Sequence, residues 1–188
     1  MSNADLSLEQ RSGLPKELRF LADRYPRALW TGHANFGGLT AFWLDRHGMF
    51  REVQQRMEQE AEAFLDGNVD PMVFGGRLQR LAGFFINQLH GHHQIEDAHY
   101  FPVLAAREPK LARAFELLDA DHHALDAHLN DLTGRTNAVL QALAAGQPAP
   151  VGAFHEVTQD FARFLERHLS DEEEVVVPVI LEHGEPPM

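Results

Sequence analysis

One eleven-residue pattern occurs twice, and it limits the fold of this chain more than any other feature. The first copy is His92-His93-Gln94-Ile95-Glu96-Asp97-Ala98-His99-Tyr100-Phe101-Pro102. The second is His168-Leu169-Ser170-Asp171-Glu172-Glu173-Glu174-Val175-Val176-Val177-Pro178. Each places a His four residues before a Glu, a second acid next, and a Pro six residues after the Glu. Residues four apart share one face of a helix. Each copy therefore points an imidazole and a carboxylate the same way, and both groups suit a first-row transition metal. Two such pairs on two helices point to one shared site for two metal ions.

The bulk of the chain narrows the alternatives. Its 188 residues suit one domain with one sizeable core. The absence of Cys excludes disulfides, thiolate metal sites and Cys nucleophiles. A formal net charge of -12 disfavours nucleic acid and anionic membrane as partners. No apolar run approaches the roughly 18 residues of a membrane span. Met1 to Gln10 is polar and lacks the apolar core of a signal peptide, so a cytoplasmic location is expected.

Punctuation divides the rest into long segments without strand-like alternation. Pro15 opens a short helix that ends near Tyr25-Pro26, and a Gly-rich stretch from Gly32 to Gly38 precedes a long helix to about Asp66. Gly67 to Pro71 is a turn, with Asp70 as N-cap and Pro71 at the first helical position. A second long helix runs to about Ala106 and stops at Glu108-Pro109. A third spans about Lys110 to Ala145, and a fourth about Val151 to Leu181, stopped by His183-Gly184. Pro102 and Pro178 lie inside helical pattern, where kinks are expected. The expected fold is all-α: an antiparallel up-down four-helix bundle with a short additional N-terminal helix. Residues 1–41 form an N-terminal extension, 42–184 the bundle and 185–188 a tail.

Helical phase, about 100° per residue, separates neighbouring histidines. On the second helix Leu78, Leu81, Phe85, Leu89, His92, Glu96 and Val103 share a face; His93 and His90 turn away, and His99 is inward. On the third, Leu111, Phe115, Leu118, Leu125 and Leu129 centre on His122, with Asp126 near that face and His123 turned away. On the fourth, Phe154, Val157, Phe161, Phe164, His168, Glu172 and Val175 line up, while His47 borders the apolar face of the first. At roughly 1.5 Å per residue, each helical leg returns His47, His92, Glu96, His122, His168 and Glu172 to one height. The hairpins repeat, with 45 residues from His47 to His92 and 46 from His122 to His168. His33 competes with His47 for the first-helix position. Asp97 and Glu173 follow the ligand carboxylates but are rotated from them, which suits charge tuning or solvation. His90, His93, His123, His128, His155 and His183 are expected in solvent.

Leu44-x-x-His47, His92-x3-Glu96-Asp97-x4-Pro102, Asp121-His122-x2-Leu125 and His168-x3-Glu172-Glu173-x4-Pro178 together resemble the hemerythrin-like (HHE cation-binding) domain family, over roughly Phe42 to Gly184. The resemblance implies two irons bridged by an oxo or hydroxo oxygen and by Glu96 and Glu172. His47, His92, His122 and His168 would be terminal ligands, and Zn or Mn could substitute. Oxygen-carrying relatives have a second His four residues after the one on the third helix, where this chain has Asp126. Members linked to nitric-oxide response carry a Cys-containing N-terminal domain, and this sequence has no Cys. The implied function is binding of a small diatomic, O2 or NO, at an open iron position, in binding, sensing or stress response. Two alternatives stand beside it: reduction of NO or peroxide with an electron donor, and iron storage or delivery. His99, Tyr100 and Asp126 are candidate proton donors for the reduction. The segment before Phe42 covers a bundle end or makes a homodimer contact.

Overall fold

Helix ends in this chain coincide with its local punctuation. A computed structural model describes residues 6–186, and among them there are helices and no strands. Met1 to Asp5 of the expected extension and Pro187 and Met188 of the expected tail lie outside the described residues. The elements are α1 (Phe20–Arg24), α2 (Gly38–Leu65), α3 (Pro71–Ile95), α4 (Phe101–Arg107), α5 (Ala112–Ala144) and α6 (Val151–His183). Asp70 caps α3 as its residue type requires: Oδ1 accepts the N–H of Met72 at 2.9 Å and of Val73 at 3.2 Å. Gly67 and Gly146 follow α2 and α5 with φ of +74° and +63°, the left-handed backbone that stops a helix. No helix among the described residues is long and apolar enough to cross a membrane.

Two compact units divide these helices. One comprises Met49–Gly91 and Leu125–Leu165. In it Phe50 meets Phe85, Arg77 bonds Glu60, and Phe64 stacks on Phe74. One partner's number rises as the other's falls, which makes α2 and α3 antiparallel. Gln54 bonds the carbonyl of Thr158 and Glu62 faces His155, which makes α2 and α6 antiparallel too, and His128 of α5 packs on Phe164 of α6. Its core centres on Phe85, edge-on to Phe50 at 6.2 Å and to Phe161 at 5.6 Å. His128 lies flat on Phe164 at 4.3 Å, so it is a packing residue and not a solvated one.

The other unit comprises the described residues up to Gly48, His92–Ala124, and the described residues from Glu166 onward. Here the N-terminal segment packs along α6. Leu14, Leu21 and Trp30 share a core cluster with Val175, Val177 and Ile180. The backbone N–H of Leu14 donates to Asp171, Arg19 pairs with Glu174, Tyr25 donates to Glu182, and Asn35 donates to the carbonyl of Leu181. From Asp171 to Leu181 every residue of α6 except Glu174 is buried. A helix apolar on all sides needs such a cover. The short helix expected from Pro15 is broken at Arg19 into a 3-10 turn, Lys16–Leu18, and α1.

The second long helix does not run uniformly to Ala106. Between α3 and α4 the chain makes a π turn, Glu96–Tyr100, in which the N–H of Phe101 bonds the carbonyl of Glu96. Pro102 lacks the N–H that an α-helix would use there, and a wider turn accommodates that loss. The extra residue rotates everything beyond it. His99, inward by uniform phase, is exposed, and Val103 is 37% exposed, while Phe101 and Leu104 are buried instead.

Glu185, expected to belong to a tail, caps a helix 145 residues earlier. Its Oε1 accepts the N–H of Thr40 at 2.8 Å and the hydroxyl of Thr40 at 2.7 Å. The backbone of Gly37 passes so close that a Cβ there would collide with the Glu185 carboxylate. Burial opposes ionisation of Glu185, but the N–H groups of Thr40, Leu39 and Gly37 hold its carboxyl below the usual value. Glu185→Ala is expected to cost about 1 kcal/mol, as for a lost N-cap. The melting temperature should fall by roughly 2–4 °C, and thermal unfolding followed by circular dichroism checks this.

Candidate metal centre

All six residues expected as ligands meet in the second unit. His47, Glu96, His122, His168 and Glu172 are buried, and the His92 side chain is 9% exposed. The imidazoles form two pairs: Nε2 of His47 lies 3.1 Å from Nε2 of His92, and Nε2 of His122 lies 3.2 Å from Nε2 of His168. Two nitrogens each about 2.1 Å from one ion, at right angles, stand about 3 Å apart. The carboxylates lie between the pairs. Glu96 Oε1 is 3.0 Å from His92 Nε2 and its Oε2 is 3.7 Å from His122 Nε2. Glu172 Oε2 is 3.5 Å from His47 Nε2 and 3.3 Å from His168 Nε2.

Hydrogen bonding shows what this arrangement needs. Glu96 Oε2 and both carboxylate oxygens of Glu172 are fully buried without a hydrogen-bond partner. A buried carboxylate in that condition costs several kcal/mol unless a cation serves it. Three of the histidines are held from behind, each donating its Nδ1–H to a carboxylate: His47 to Glu173 at 3.1 Å, His122 to Asp97 at 2.7 Å and His168 to Asp121 at 3.3 Å. A carboxylate on Nδ1 leaves Nε2 of each ring aimed inward as the atom available to a metal. The indole N–H of Trp43, one turn before His47, donates to Glu96 Oε1.

Proton affinities follow the same geometry. Burial pushes His47 down to about 4, and it also holds His122 below and His93 well below the usual value, which keeps these rings neutral. Burial acts the same way on His168, but Asp121 and Glu172 outweigh it and raise that ring to about 10. Burial resists charge on Glu96, yet His92, His47 and His122 hold it at about 2. Glu172 is raised well above its usual value, by burial first and then by the nearby Glu96 charge. Served only by protons, the two carboxylates do not share negative charge; a metal cation would let both ionise.

The hemerythrin HHE cation-binding domain model matches residues 38–183. The chain belongs to the hemerythrin family. No curated protein and no solved structure gives a match. Within this hemerythrin-family centre several sequence expectations need correction. His93 is 3% exposed, lies flat on His122 at 4.0 Å, and has no hydrogen bond on either ring nitrogen. The buried stripe of α3 runs through Ala82 rather than Leu81, which widens it enough to take His93 as well as His92. His93, His122 and His168 together can offer nitrogens to one ion, and His47, His92, Glu96 and Glu172 offer donors to another. Asp126 is neither ligand nor support: it faces His90 at 3.5 Å with its side chain 45% exposed. The carboxylates behind the rings are Asp97, Asp121 and Glu173, and the last is buried rather than solvated. His33 accepts the N–H of Asn35 and stands edge-on to Tyr25, outside the metal groups.

Proposed function

We propose that this protein holds two irons and binds a small diatomic, O2 or NO, at an open iron position. The observation that carries the reading is the pair of Nε2–Nε2 approaches, 3.1 and 3.2 Å, with partnerless carboxylate oxygens between them. His47 and His92 would hold one ion, His122 and His168 the other, with Glu96 and Glu172 shared. His93 would be a third imidazole for the second ion; swinging out of its stack on His122 breaks no hydrogen bond. Iron in such a centre supplies a Lewis-acidic, redox-active position for a diatomic ligand.

The protein's own part is to admit a small apolar molecule and exclude bulk water. A cavity of about 20 Å³ reaches Glu96, walled by Leu39, Trp43, Phe101, Leu104, Val176 and Ile180. That is room for about one water-sized molecule. Tyr100 also lines it, whereas His99 is exposed. This placement favours a second reading, reduction of NO or peroxide supplied by an electron donor, with Tyr100 as the proton donor at the cavity.

Iron analysis and optical spectra on protein expressed with iron test the proposal. Wild type is expected to carry two irons per chain and an oxo-to-iron charge-transfer band. His92→Ala and His168→Ala should lose both, and His93→Phe should retain the His47–His92 ion and lose occupancy of the other. Unchanged iron content in both His92→Ala and His168→Ala would sink it. Reversible spectral change with O2 or NO supports binding; sustained reductant-dependent consumption of NO or peroxide supports the enzyme.

A further inference from the structure

The two histidines held by the most buried carboxylates are His47 and His168, and they sit on opposite ions in the two-ion reading. Behind each carboxylate stands an arginine from the N-terminal segment, outside residues 38–183 that the family model covers. Arg11 has a side chain 1% exposed. Its guanidinium grips both oxygens of Asp121, with Nη1 at 2.7 Å from Oδ1, while Nε donates to Asp171 at 2.8 Å and Nη1 also to the carbonyl of Leu6 at 3.0 Å. Asp121 Oδ2, one of the gripped oxygens, accepts from His168. Arg27 donates to Glu173 Oε2, and the other oxygen of Glu173 accepts from His47. The Arg27 guanidinium is steadied over the Trp30 ring at 4.6 Å, and the Trp30 indole is tied to the carbonyl of Tyr25 at 2.7 Å.

We propose that the N-terminal segment is a working part of the metal centre, with Arg11 and Arg27 as positioning residues that set the electron donation of His168 and His47 to the two ions. The inference rests on the two-ion reading. A carboxylate that accepts Nδ1–H pulls the imidazole toward imidazolate and makes Nε2 a stronger donor. An arginine on that carboxylate draws its charge away and weakens the pull. Each arginine therefore favours the less oxidised state of the ion its histidine would hold; Arg11 also fixes the Asp121 carboxylate through a planar fork, and Arg27 bonds Glu173 through Oε2. Arg11 does this inside the protein, where its field is little screened. Arg27, with a side chain 58% exposed, does it at the edge.

The test uses the full-length, iron-loaded protein. Arg27→Gln is the safer variant because its site is solvent-facing. Its midpoint potential should become more negative, because His47, backed by an uncompensated carboxylate, then donates more strongly. Its melting temperature should barely move, and Arg27→Lys should restore the wild-type potential. Arg11→Gln alone strands two buried carboxylates, so Arg11→Gln with Asp171→Asn is the matching variant at the other ion, with a smaller negative shift expected because an adjacent carboxylate charge goes with the cation. Wild type that binds no iron overturns the metal reading itself. Wild type with two irons, but with potential and spectrum unchanged in both Gln variants, overturns the role of the arginines while leaving the centre intact. An identical shift in Arg27→Lys and Arg27→Gln also overturns it, because charge would then not be the cause.

Discussion

Iron-loaded protein is expected to melt about 10 °C above the same protein treated with a chelator. A site saturated at a thousandfold its dissociation constant stabilises by about 4 kcal/mol, and a domain of this size gains roughly 2–4 °C per kcal/mol. The source of the gain is specific: Glu96 Oε2 and both oxygens of Glu172 are buried without hydrogen bonds, and a cation serves them where water cannot. Glu172→Gln separates this from general tightening. In chelated protein Glu172 already favours its protonated form, which an amide imitates, so the melting temperature should change little. In iron-loaded protein the same variant removes a shared ligand, and most of the iron-dependent gain should vanish. Differential scanning calorimetry with and without iron gives all four values. Equal melting temperatures for chelated and iron-loaded wild type would contradict the site.

What the sequence made legible was whatever depends on a few neighbouring residues. Asp70-Pro71 and Gly67 mark helix ends because capping and left-handed backbone are local chemistry. The four histidines and two glutamates converge because helix rise converts residue counts into heights. Three things escaped for identifiable reasons. A uniform 100° rotation fails beyond Glu96, where the π turn admits one extra residue, and so His99 and Val103 were misplaced. A stripe drawn through Leu81 turns His93 outward, whereas Ala82, 1% exposed, is the residue facing the core. The N-terminal segment has ordinary loop composition, and its decisive bond, Arg11 to Asp121, spans 110 residues. A signal for its cover was nonetheless present: Val175 to Leu181 is apolar all round a helix, and such a surface must be packed against something.

Stability of the chelated protein should form a dome in pH, with its top at about pH 6. His47 in the folded chain is lowered to about 4 from 6.5, so between those values the unfolded chain binds the proton and the folded one does not. Stability is therefore lost as pH falls through that window, by about 3 kcal/mol for His47 alone. His93 and His122 are shifted in the same direction and add to the loss, and Glu96, held at about 2, extends it to lower pH. His168 works on the other side. Raised to about 10, its contribution is complete below 6.5 and disappears as pH climbs toward 10. Glu172, raised well above its usual value, also penalises folding as pH rises, because burial and the Glu96 charge oppose its ionisation. Urea unfolding from pH 4 to 10 should thus show both limbs in wild type. Glu172→Gln should flatten the alkaline limb and leave the acid one. Iron should move the balance: both glutamates then ionise against a cation, and acid alone, by protonating the histidines, releases the metal. A flat profile for the chelated protein would mean that these buried groups titrate as they do in water, and the geometry of the centre allows no such freedom.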